Sequence, residues 1–152
     1  MLIPSISNET NPLQCVLLGV ANQSGPIPKY EEAYDPKSRL HIAKDTYPRE
    51  QDLIRQLDLM HATLEKHGVE VLRPHIVSNC NQIFSRDIAF VVEDCLFISN
   101  ILPARKREIY AIQYILDRIP KQAKVVNIAF ARSNFRKLIL IGIIYLSQGM
   151  II

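Results

Sequence analysis

The chain has 152 residues, 48% of them hydrophobic and 22% charged, which suits one domain large enough to bury a core of its own. A net charge of +3, with no Lys/Arg stripe interleaved with aromatics, sets nucleic-acid binding aside. The chain shows no internal repeat and no low-complexity segment.

The opening "MLIPSISNETNPLQC" has no basic segment leading into an apolar one, so a secretion signal is not expected and a cytoplasmic location is. Cys15, Cys80 and Cys95 are odd in number and lack Cys-x-x-Cys spacing, which reads as three reduced, mostly buried thiols. His41, His61, His67 and His75 form no metal-ligand spacing with cysteine or carboxylate, so neither a metal nor another cofactor is indicated.

In chain order, "LQCVLLGVA" (13–21) is a short apolar run ending near Gly19 and predicts a central strand. The turn formers of "NQSGPIPKYEEAYDPKS" predict a long loop. Leu53, Leu57, Met60 and Leu64 then recur at spacings of four, three and four, one face of a helix. Thr46 is its expected cap, Pro48 falls in its first turn, and Gly68 ends it. "VEVLRP" is the next strand. Ile88 to Val92 and Cys95 to Ser99 flank Glu93-Asp94 and predict a hairpin. A second helix is expected from about Ala104 to Ile119, with Ile109, Ile112, Leu116 and Ile119 on one face, and "AKVVNI" gives a last strand. The run from 88 to 128 is thus one ββαβ unit, and the class is mixed α/β.

Chemistry is read first at "NQIFSRDIAFVV" (81–92), where Asp87 stands at the mouth of an apolar strand. An unpaired carboxylate there costs several kcal/mol, so it needs a partner. A carboxylate fixed in this way suits a planar guanidinium, which offers two parallel hydrogen bonds. The plainer alternatives are an ion pair with Arg86 or a turn carboxylate bonding backbone amides. Asn81 enters the same place six residues earlier, where an amide ordinarily caps a turn. In "PARKREI" (103–109), Arg105, Lys106 and Arg107 oppose the dipole at a helix start. Such a run is usually a solvated face, and a cation meeting a substrate carboxylate would also account for it.

"NQIFSRD", a hairpin and then Arg-x-Arg-Glu together resemble the guanidino-group-modifying superfamily: arginine deiminases, dimethylargininases and arginine:glycine amidinotransferases. "CVLLG", a helix and "GVEVLRP" upstream look most like the amidinotransferase branch, over roughly residues 13 to 128. The resemblance implies an α/β-propeller, a pentein-like fan of five ββαβ units around a polar centre, of which this chain would hold an incomplete part. It also implies cysteine-dependent modification of the guanidinium group of arginine or a related compound. There a thiolate attacks the guanidinium carbon, a histidine protonates the departing amine, and water or an amine resolves the intermediate. By the same resemblance Asp87 grips the guanidinium, while Asn81 and Arg105 receive the amino-acid end of the substrate.

The sequence departs from this pattern beyond the hairpin. No acid follows Asp117, no histidine follows His75 and no cysteine follows Cys95. Residues 118–152 carry six basic side chains, leaving twelve basic against fifteen acidic before them, and end in the uncharged "LILIGIIYLSQGMII". That stretch is shorter than the roughly 20 residues a membrane span needs, so no membrane partner is expected. The expected organisation is residues 1–128 as the N-terminal part of an amidinotransferase-like domain, with 129–152 as an unmatched tail from truncation or a frameshift. No catalytic residue is assigned. The alternative is a non-catalytic fragment or small-molecule-binding module without turnover. A fan cut at about half leaves open sheet edges, so self-association through them is expected.

Overall fold

Short apolar runs bounded by turn residues become strands, and the longest stretch with helical periodicity becomes the longest helix, in a computed structural model that describes residues 1–126 apart from Glu9 and Tyr34. The tail expected at 129–152 lies outside the described residues. The fold is mixed α/β with two small sheets.

In the first region, β1 (Cys15–Leu17) and β2 (Glu70–Leu72) pair in parallel, Cys15 opposite Glu70 and Leu17 opposite Leu72. Two helices make the crossover. The first, α1 (Pro36–Ala43), begins inside the stretch expected to be loop. Asp35 caps it, its Oδ1 accepting the Ser38 amide at 2.8 Å, with Pro36 in the first turn. Asp and Pro start helices as readily as they make turns, and α1 buries no residue, so no apolar periodicity betrayed it.

The second helix, α2 (Glu50–Lys66), lacks the Thr46 cap expected from sequence; its N-cap is Arg49, without a side-chain bond. Thr46 instead closes the end of α1, its amide donating to the His41 carbonyl and its hydroxyl bonding the His41 ring. Gly68 ends α2 as anticipated, at φ 78°. The Gly68 amide reaches the Glu65 carbonyl and the Val69 amide the Leu64 carbonyl, a paired closure that needs a left-handed residue between them.

In the second region, β3 (Ala89–Val92) and β4 (Cys95–Ile98) form the expected hairpin, Val92 opposite Cys95, with Glu93 at φ 53° in the turn. β5 (Lys124–Val126) then lies parallel to β4, giving the sheet order β3-β4-β5. The helix expected over 104–119 is broken. A 3₁₀ turn at Pro103–Arg105 leads into α3 (Lys106–Ala111), and α4 (Gln113–Leu116) follows after Ile112. The cause is local. The Ala111 carbonyl accepts the His75 amide, so the Ile115 amide turns to the Ile112 carbonyl instead.

The apolar face survives the break. Ile112, Leu116 and Ile119 are buried together with Ile88, Ala89, Leu96 and Ile115. Leu17 and Leu72 of the first sheet pack against this cluster, so both regions share one core. Among the described residues no helix is long and apolar enough to cross a membrane.

Candidate functional site

The segment from His75 to Asp87 is pinned from several sides before it delivers Asp87. Gln82, 2% exposed, accepts the Val77 amide on its side-chain oxygen and donates its amide nitrogen to the His75 carbonyl. The Gln82 carbonyl takes the Val20 amide at 3.1 Å. The buried Ser85 hydroxyl donates to the Leu17 carbonyl at 2.8 Å. Gly19 permits this approach, because a Cβ there would collide with the carbonyl oxygens of Gln82 and Ile83. Ser85–Asp87 then forms one 3₁₀ turn, and Ile88, accepting the Ser99 amide, opens β3. Both sheets therefore fix where Asp87 stands.

Asp87 is 39% exposed at its side chain, and its partner is a guanidinium. Arg105 Nη1 donates to Asp87 Oδ2 at 2.9 Å. Arg86, the adjacent candidate, lies at 3.8 Å from Oδ1. Arg105 is held more firmly on its other edge, where Nε and Nη2 donate to the two Glu108 oxygens at 2.6 and 2.8 Å. Glu108 is only 3% exposed. The Glu108 hydrogen bonds, and the Asp87 bond after them, hold the Arg105 guanidinium above even its ordinary high pKa, against the burial that opposes them. The charge run at the helix start is thus split, with Arg105 and Glu108 turned inward and Lys106 and Arg107 exposed. Arg107 returns to the loop, donating to the Ser78 carbonyl at 3.1 Å.

Of the three residues singled out by sequence, Asp87 and Arg105 are brought into direct contact. Asn81 is exposed and accepts the Ile83 amide at 3.2 Å, a short-range turn bond, and makes no hydrogen bond to Asp87 or Arg105. Sequence reasoning passed over Glu108 as a site residue. Its signal was the spacing: an acid three residues after Arg105 shares its helix face.

Cys80 is buried beside this cluster. Burial pushes its thiol up, Glu108 adds to the effect, and Arg107 and Arg105 oppose it. Cys15 and Cys95 are also pushed up, burial again the first cause. None of the three is prepared as a thiolate. A cavity of about 470 Å³ opens on the neighbouring face of α3, lined by Ser99, Asn100, Lys106, Ile109 and Gln113 among others. It adjoins the turn through the bond from the Ser99 amide to the Ile88 carbonyl. No protein-family model and no curated protein matches the chain.

Proposed function

We propose that residues 1–128 are the N-terminal part of a guanidino-modifying domain of the amidinotransferase and arginine deiminase type, in which Asp87 grips the guanidinium of arginine or a related compound. The observation that carries this reading is the pairing of Asp87 with a guanidinium, at the turn where both sheets hold it in place. A charge-assisted carboxylate–guanidinium bond is roughly twice as strong as a neutral one and is specific in geometry. The β3-β4-α3-α4-β5 unit supports the reading as one blade of the family's five-unit fan. Arg105 has five N–H donors, three of them engaged, which leaves two for the amino-acid end of a substrate.

The chain's share of the chemistry is binding. Its sequence offers no histidine after His75 and no cysteine after Cys95, and its described thiols are held in the neutral form. Titration of L-arginine into the protein is expected to show binding that Asp87→Ala abolishes, with neither citrulline nor amidino transfer formed. Thiol-sensitive turnover would contradict the binding-only reading, and arginine binding indifferent to Asp87→Ala would contradict the grip.

One observation favours a second reading. Arg105 already occupies Oδ2 of Asp87, so the triad also serves as a closed structural ion pair in a non-catalytic module. On that reading neither protein binds arginine. Self-association through the outer edge of β3, where Phe90 is 37% exposed, belongs to both readings and is checked by the concentration dependence of the mass in solution.

A further inference from the structure

The two carboxylates hold Arg105 unequally. Glu108 takes two nitrogens side-on from a site 3% exposed, while Asp87 takes one nitrogen from a site 39% exposed. Water competes for the Asp87 bond and hardly at all for the Glu108 pair, so the Asp87 contact is the one that yields first. Arg105 nevertheless carries the same chemical group that the proposed function assigns to the ligand. It is tethered beside Asp87 on its own chain, and a tethered group competes at an effective concentration on the order of millimolar. Left unrestrained, it would outcompete a free guanidine of modest affinity.

We infer that Glu108 is a restraining residue, holding Arg105 by its Nε–Nη2 edge so that only Oδ2 of Asp87 is engaged, by a single nitrogen, and an external guanidinium can compete for that carboxylate. This rests on the reading of Asp87 as the ligand-gripping carboxylate. Glu108 acts only through Arg105, as a positioning residue rather than a catalytic one. It also accounts for a carboxylate buried in the first turn of α3: a buried acid is tolerated where both of its oxygens are engaged by one planar cation.

Methylguanidine is the suitable probe, since it has the guanidinium but no carboxylate to engage the free Arg105 donors. Its affinity is measured by NMR titration for the wild type, Glu108→Gln, Asp87→Asn and the double variant Glu108→Gln/Arg105→Met. Glu108→Gln is expected to weaken binding roughly tenfold, because Arg105 moves fully onto Asp87. Removing Arg105 as well is expected to restore affinity to within roughly twofold of wild type, a reversal that simple loss of packing would not give. If Glu108→Gln fails to fold, Glu108→Asp carries the same comparison with a smaller weakening expected. Asp87-dependent binding unaffected by the change at Glu108, or a double variant as weak as the single one, would overturn the restraint alone. Equal binding by wild type and Asp87→Asn would overturn the Asp87 grip itself.

Discussion

The two regions of this chain are built on different terms. The β3-β4-β5 unit supplies every residue of the main buried cluster, from Ile88 to Ile119, and Ile112 within it is 1% exposed. The β1-β2 region contributes Leu17 and Leu72 to the edge of that cluster, and its seventeen-residue α2 buries no residue completely. The shared core is centred in the second region. The first adds its buried strand-side residues Val16, Leu18, Val20 and Val69 and carries its helices as an outer layer, kept in place by strand pairing, caps and the contacts around Gly19. The site sits where they meet, since Ser85 is bonded to β1 and Asp87 leads into β3.

The sharpest way to test this contrast is to remove apolar volume on each side. Ile112→Ala is expected to cost about 2–5 kcal/mol, the range for emptying a packed core site, while Leu57→Ala on half-buried α2 costs well under half as much. Denaturant unfolding of both variants measures it, and equal losses would dissolve the distinction between core and layer.

Next in size is the seam. Gly19→Ala drives a methyl into the Gln82 and Ile83 carbonyls, and is expected to cost about 1–3 kcal/mol by forcing the two backbones apart. Hydrogen exchange should show the Val20 amide, bonded to the Gln82 carbonyl, losing protection more than the amides of the β3–β4 hairpin. Uniform loss across both regions would mean that they do not separate at this seam.

Smaller effects are confined to the outer layer. Asp35→Ala removes the cap of α1 and should read as lost hydrogen-exchange protection in α1 with the hairpin unchanged. Smallest is a pH effect at Glu50. The Ser24 hydroxyl, then the amides of Gln23 and Ser24, hold its carboxyl below the usual carboxylate range. A carboxylate whose pKa is lowered by folding adds stability above its unfolded pKa, and that contribution fades as pH falls through the folded value. Wild type should therefore exceed Glu50→Gln in stability at neutral pH, and the gap should close in acid. A gap that persists at low pH would assign the effect to packing.

What the sequence disclosed follows the same division. The ββαβ unit was legible because its strands and helical face are strongly apolar, and its hairpin and the register of Ile112, Leu116 and Ile119 came out as read. The break at Ile112 was not legible, because its cause is the distant His75 amide. In the layer, α1 was hidden by the absence of a buried face, and Thr46 was assigned to the wrong helix because α1 had been missed. At the site, Asp87 stood out as a charge against an apolar run. Its pairing with Arg105 depends on a fold that brings residues eighteen apart together, and Glu108 was concealed within a charge cluster that ordinarily faces water.

The central claim is that Asp87, at the seam, receives an external guanidinium. The most direct test is to follow backbone and Arg105 side-chain NMR signals during titration with L-arginine. The account predicts saturable shifts centred on Asp87, Ile88, Ser99 and the Arg105 Nε–H, with α2 unchanged. No saturable shift, or shifts centred on α2 and the outer layer, would contradict it.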